Sequence, residues 1–209
     1  NMEINKIYNE NCLETMAMMP YGFIDLVVTS PPYDGLRKYN GYSFDFEAVA
    51  KELFRVVKVG GVVVWVVGDE TKNGSESGTS FRQALYFMEC GFNLHDTMIY
   101  EKGGQGATGS NKCYLQNFEY MFIFSKGGPK TINLLKDRKN VRQRIEKTNA
   151  SKRSVDGKIS ESKHRQGEPY GYRFNIWKIA NGGSSSLDDI AFNHPAIFPE
   201  QLAADHIYS

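Results

Sequence analysis

Apolar residues recur along this chain with two periods. Phe23-Ile24-Asp25-Leu26-Val27-Val28 and Val62-Val63-Val64-Trp65-Val66-Val67 are short runs rich in β-branched residues, the pattern of strands buried in a parallel sheet. The first predicts a fully buried strand at the sheet's centre. Between them Phe44, Phe46, Val49, Ala50, Leu53, Phe54 and Val57 repeat at helical spacing through Lys58, so an amphipathic helix is expected, with Val59-Gly60-Gly61 as its stop. Strand, helix, glycine turn and strand make a right-handed βαβ unit.

The same reading extends outward. Ile4 to Tyr8 alternates like a short strand, and Cys12 to Met19 forms one or two helical turns with Leu13, Met16 and Met19 inward. Residues 70 to 80 read as a Gly/Ser-rich loop. Ser80 caps a helix over Phe81–Glu89 that presents Phe81, Ala84, Leu85 and Met88 on one face, with Gly91 as its stop. Phe92 to Tyr100 and Phe118 to Ser125 are strand-like, and a last helix covers Glu200 to Tyr208, with Pro199 in its first turn. Gly104-Gln105-Gly106-Ala107-Thr108-Gly109 spells GxGxxG after a strand, but no amphipathic helix follows it. It is read as a glycine loop rather than a dinucleotide site.

Charge divides the chain. The net charge is only +1, yet residues 126–173 hold 14 Lys+Arg against 5 Asp+Glu, so the remainder is acidic. Hydrophobic periodicity fades from Gly127 to Tyr172. The expected organisation is a core over 1–126, a basic insertion over 127–172 and a return to the core over 173–209. The insertion is either a solvated stretch or a nucleic-acid-binding element whose Lys and Arg release counterions from phosphates. Three scattered cysteines without CxxC spacing fit a reducing cytoplasm and argue against a zinc site. No apolar run approaches a membrane span.

Chemistry concentrates where the first strand ends. Thr29-Ser30-Pro31-Pro32-Tyr33 cannot continue a ladder, because two prolines lack donors and hold their predecessors extended. A stiff loop at a strand's carboxyl end is where ligands bind in open α/β sheets. It offers the Ser30 hydroxyl, the Pro31 carbonyl and the Tyr33 ring. Such acceptors, set against the hydrogens of an exocyclic amino group, favour a pyramidal and nucleophilic nitrogen, while an aromatic ring can hold a base taken out of the duplex. An isolated tetrad of this kind also fits a plain turn with a surface tyrosine.

The tetrad is not isolated. Asp25 to Tyr33 resembles the catalytic motif of amino-methylating DNA methyltransferases of the β class, which carry (D/N/S)-P-P-(Y/F) at this strand end. Tyr100-Glu101-Lys102 with Phe118-Glu119 through Lys126 resembles the family's closing hairpin. Asn193-His194-Pro195 through Phe198-Pro199 and Leu202 resembles H-P-x-x-F-P-x-x-L, which borders the cofactor. Asn9 to Glu14 resembles N-G-D-C-L-E, with Asn11 where the family has Asp.

The resemblance implies a Rossmann-like, S-adenosylmethionine-dependent methyltransferase fold: a mostly parallel sheet with a closing antiparallel hairpin. It implies S-adenosylmethionine as cofactor, double-stranded DNA as partner and a cytoplasmic enzyme of a restriction-modification or mobile-element system. Catalytic roles fall on Ser30, Pro31, Pro32 and Tyr33. Cofactor contacts fall on Asn11, Cys12, Thr29, Ser30, Asp69, His194, Pro195 and Phe198, although Asp69 equally fits a helix cap and Asn11 a turn cap. DNA contacts fall on Arg37 and Lys38 beside the tetrad, and on Lys136, Arg138, Lys139, Arg142, Arg144, Lys152 and Arg153 of the insertion, read as the target-recognition element. Serine at the first tetrad position favours cytosine N4 over adenine N6 as acceptor.

The family's glycine-rich D-P-F-x-G-S-G-T motif, expected directly beyond the last helix, is absent from these residues. The expectation is therefore a sheet incomplete at its C-terminal side, with weak or absent cofactor binding and a homodimer or second chain covering the open edge. A catalytically inactive, DNA-binding derivative is the alternative. A base deaminase is excluded, since no H-x-E with P-C-x-x-C occurs.

Overall fold

A computed structural model describes residues 2–32, 44–103, 114–140, 150–162, 168–182, 189–194 and 196–209. The chain divides into two units, residues 1–133 with 175–209, and Leu134–Phe174.

The first unit is built on one five-stranded sheet. Its strands are β1 (Ile24–Thr29), β2 (Val57–Val67), β5 (Asn93–Lys102), β6 (Phe118–Ser125) and β11 (Ile176–Ile179), in the spatial order β1-β2-β6-β5-β11. β1 runs parallel to β2 and β11 parallel to β5, while β6 is antiparallel to both β2 and β5. Four strands therefore share one direction, and their carboxyl ends make one edge. β3 (Thr71–Lys72) and β4 (Ser75–Glu76) form a hairpin there.

One expectation about β1 is overturned. It is paired with β2 alone among the described residues, and none of its residues is fully buried. The parallel partner is as expected, but the strand lies at the rim of the sheet and not at its centre. An apolar run records that a strand is shielded by side chains; which strands flank it is settled by distant chain.

Helix α1 (Cys12–Met18) opens on Asn11, whose side-chain oxygen accepts from the Leu13 N–H. α2 (Phe46–Val56) is capped by Asp45 and buries Val49, Ala50, Leu53 and Val56. These pack with Trp65, Phe87, Phe92, Phe122 and Phe124 in the main core. β2 then begins at Val57, directly after α2, so the expected glycine turn is instead a break inside a strand. There the pairing with β1 slips between Ile24 and Leu26, and the Gly60 and Gly61 backbones bond the Lys126 and Lys130 backbones.

α3 (Thr79–Glu89) closes with Gly91 at φ +110°, its N–H on the Met88 carbonyl and the Phe92 N–H on that of Phe87. This is the paired-bond helix stop that favours glycine. The buried face of α3 is Ser80, Gln83, Ala84 and Phe87. Of the expected face only Ala84 is buried, while Phe81, Leu85 and Met88 are exposed. Ser80 also lies inside the helix, with Gly78 as its cap.

Ile4 to Tyr8 is not a strand. Asn5 sits at φ +60°, and the Tyr8 hydroxyl and the Glu3 backbone bond each other across a turn. The opposite sheet face is covered by α4 (Glu200–Tyr208), which follows Pro199 and buries Leu202, Asp205 and His206. The His206 ring stacks on Trp177 at 4.4 Å, with Nε2 3.4 Å from the Met121 sulfur.

The second unit contains two small ladders: β7 (Arg138–Lys139) with β10 (Tyr170–Gly171), and β8 (Ala150–Arg153) with β9 (Ile159–Ser162).

Candidate active site

The carboxyl edge of the sheet collects the polar residues. Thr29 pairs with Trp65, so the following Ser30, Pro31 and Pro32 stand level with the last residues of β2 and with Gly68. Pro31 is buried, while Thr29, Ser30 and Pro32 are half-buried. This follows from the local sequence, since prolines cannot extend a ladder and the chain must leave the sheet with its carbonyls unpaired by strand partners. Tyr33, Arg37 and Lys38 lie outside the described residues.

Asp69, directly beyond β2, is buried and fully engaged. Its carboxylate accepts the Ser77 hydroxyl at 2.9 Å, the Ser80 N–H at 2.9 Å and the Ser80 hydroxyl. Of the two roles open to it, the geometry supports the helix cap: the negative charge sits at the N-terminus of α3, where unpaired N–H groups and the helix dipole favour it. The β3–β4 hairpin places Asn73 at φ +54° and Gly74 at φ +81°, the positive pair that a two-residue hairpin turn requires. Asn73-Gly74 was the sequence signal for it in a stretch expected to be a loop.

The expected cofactor residues are not gathered in one place by any described contact. Asn11 caps α1, with Cys12 exposed beside it. His194 is exposed and its Nδ1 accepts from the Ala196 N–H. Phe198 is half-buried just before α4, a helix that lies against β1. Pro195 lies outside the described residues.

Tyr100 and Lys102 of the hairpin motif lie toward the same edge. Lys102 Nζ is 2.6 Å from the Glu119 carboxylate. Tyr100 is buried, and burial with the neighbouring Glu119 charge pushes its phenol up to about 12.

In the second unit several basic side chains are internally engaged. Lys136 pairs with Glu168 and lies 5.9 Å over the Tyr172 ring. Arg138 donates to the Tyr172 carbonyl at 2.8 Å and covers the Phe174 ring at 4.4 Å. Arg173 bonds Asp137, holding that carboxyl below its usual range. Lys139 and Arg153 are exposed. Lys152 contributes backbone to β8, and Arg142 and Arg144 lie outside the described residues. Sequence reasoning treated these cations as equivalent, because nothing in composition shows which will fold back onto aromatic rings.

Residues 24–209 match the DNA methylase family of N6 and N4 methyltransferases. The chain belongs to that family. It is 64% identical over 189 residues to the orphan methyltransferase M.BamHII of Bacillus amyloliquefaciens, covering 89% of this chain and 71% of that protein. It is 28% identical to the type II methyltransferase M.MthZI of Methanothermobacter thermautotrophicus, over 65% of this chain and 48% of the relative. Among solved structures, the cytosine-N4-specific PvuII DNA methyltransferase superposes with a TM-score of 0.64 at 20% identity, over 96% of this chain and 68% of that one. The mixed sheet flanked by helices is thus the Rossmann-like methyltransferase fold. No helix among the described residues of this DNA methylase is long and apolar enough to cross a membrane.

Proposed function

We propose that this chain is the larger part of a site-specific DNA methyltransferase that moves a methyl group from S-adenosylmethionine to the exocyclic amino nitrogen of a base rotated out of the duplex, with cytosine N4 the favoured acceptor, in a restriction-modification or mobile-element setting. The observation that carries the reading is Ser30-Pro31-Pro32-Tyr33 at the carboxyl end of β1 in a member of the DNA methylase family.

S-adenosylmethionine supplies, when bound, an electrophilic methyl group on a sulfonium. The residues present fit an adenosyl group's mixture of hydroxyls and flat ring: half-buried Thr29 and Ser30 carry hydroxyls at the end of β1, and half-buried Phe198 carries an apolar ring just before α4. The Asp69 carboxylate is already engaged by Ser77 and Ser80 at the start of α3. The chain's own residues do the rest. The Ser30 hydroxyl and the Pro31 carbonyl accept the amino hydrogens and orient the nitrogen lone pair. The Tyr33 ring stacks the base, and the rigid prolines fix the approach. The cofactor would supply its methyl group to that nitrogen and leave as the neutral thioether, the amino group's surplus proton would pass to solvent, and no covalent enzyme intermediate is needed. In this reading exposed Lys139 and Arg153 contact phosphates, and Lys136 and Arg138 do so from side chains that also bond within the second unit.

Mass spectrometry of nucleosides from a methylation-free host tests this. N4-methylcytosine on expression, lost with Ser30→Ala, is the expected result. N6-methyladenine would move the acceptor, and no methylated nucleoside from this chain or from one extended to the relatives' length would favour a DNA-binding protein without catalysis.

A further inference from the structure

Arg138 and Gly171 stand opposite each other in the β7–β10 ladder of the second unit. The Arg138 guanidinium is held from several sides. Its Nε donates to the Tyr172 carbonyl at 2.8 Å, its central carbon lies 4.4 Å over the Phe174 ring, and Nη2 fills the space where a side chain on Gly171 would begin. Gly171 is not one of the glycines at positive φ, so its backbone would accept alanine. What a Cβ would meet there is the Arg138 guanidinium and the Asn140 Oδ1. Glycine inside a strand weakens it and marks a close approach; here the group that approaches is a cation.

The outer edge of that cation is open. Among the described residues no protein group accepts from Nη1 or Nη2, and two carboxylates beside the ladder are engaged by other cations, Asp137 by Arg173 and Glu168 by Lys136. A guanidinium with its plane fixed and both Nη nitrogens unpaired is preset to give two parallel N–H bonds to two oxygens, the geometry that a phosphate presents. The surrounding charge selects an anion as well, since residues 126–173 hold 14 Lys+Arg against 5 Asp+Glu. We propose that Arg138 is a two-pronged clamp for one phosphate of duplex DNA, and that Gly171 is the residue that positions it. Exposed Lys139 offers only a charge; Arg138 offers a charge with a direction. That the anion is DNA rests on the methyltransferase reading.

Binding of the whole chain to mixed-sequence duplex over a range of salt tests the clamp. Arg138→Gln lowers the slope of log K against log salt by about 0.9. Arg138→Lys keeps the slope and weakens binding about tenfold, because one charge remains and the second prong is lost. Gly171→Ala, which alters no charge, weakens binding about as much when Arg138 is present and adds nothing in the Arg138→Gln background, where no guanidinium is left to displace. Should Gly171→Ala disturb the ladder, Arg138→Lys still decides, since it adds no Cβ. No duplex binding by the wild type at low salt, an unchanged slope for Arg138→Gln, or wild-type affinity in either Arg138→Lys or Gly171→Ala would overturn the clamp. A loss confined to one DNA sequence would overturn the phosphate assignment in favour of a base. Methylated nucleosides with an unchanged slope would sink the clamp alone, whereas the full change of slope without methylated nucleosides would sink methyl transfer and leave the clamp standing.

Discussion

The indole N–H of Trp65 donates to the Gln83 side-chain oxygen at 2.9 Å, with both residues buried. This bond ties β2 to α3 across a core of aliphatic side chains and aromatic rings, including Phe87 stacked on Phe124 at 4.5 Å. Gln83→Met keeps the volume but strands a buried donor, so unfolding free energy falls by about 1–3 kcal/mol. Urea denaturation reads this, and an unchanged midpoint would mean that the indole finds another acceptor.

Asp69 separates two roles. If its carboxylate is the cap of α3, Asp69→Ala lowers stability by about 1–2 kcal/mol, and the loss is the same with and without S-adenosylmethionine. A variant of normal stability that loses cofactor affinity, measured by calorimetry, would return Asp69 to the cofactor site.

Glu52 predicts a pH dependence. Its half-buried carboxylate accepts from the Arg55 guanidinium, which also donates to the Met16 and Met19 carbonyls at 2.6 and 2.8 Å. The Arg55 hydrogen bond holds the Glu52 acid below its ordinary value. A carboxyl depressed in the folded state contributes stability that is present above its unfolded pKa and lost as pH falls through the folded one. Wild type therefore exceeds Glu52→Gln in thermal midpoint at pH 7, and the gap narrows as pH falls below the ordinary carboxylate range. A gap that does not narrow with acid would assign the effect to packing.

Gly91 is constrained twice. At φ +110° an added Cβ would lie 2.8 Å from the Phe54 ring, so Gly91→Ala combines backbone strain with overpacking and costs about 2 kcal/mol or more. Gly74, also at positive φ but with nothing near its Cβ direction, carries the backbone penalty alone. Gly74→Ala should therefore be the milder variant in the same denaturation assay.

Helix α2 was readable because its apolar positions form one stripe. α3 misled for the same reason in reverse. Phe81, Leu85 and Met88 are periodic and more apolar than the face that is buried, which includes Ser80 and Gln83. Those two enter the core because Asp69 and Trp65 satisfy them, and such long-range pairings leave no local trace. The tetrad loop was legible through its prolines, whose backbone chemistry is local. The position of β1 was not, because strand order is decided between segments far apart in sequence. The engagement of Arg138 with Phe174 was equally hidden, since composition gives the number of cations and not their partners.

β1 at the rim has a consequence for how this protein behaves in a crowded tube. A rim strand of valine and leucine invites other chains to lengthen the sheet, and natural sheets deter this with charge. Asp25 is the only charged residue of β1; its side chain is 80% exposed and it bonds Lys58 at 2.6 Å on the neighbouring strand. That exposed carboxylate is the one charge β1 itself sets against edge-to-edge pairing at this rim. Losing it would change the solution far more than the molecule.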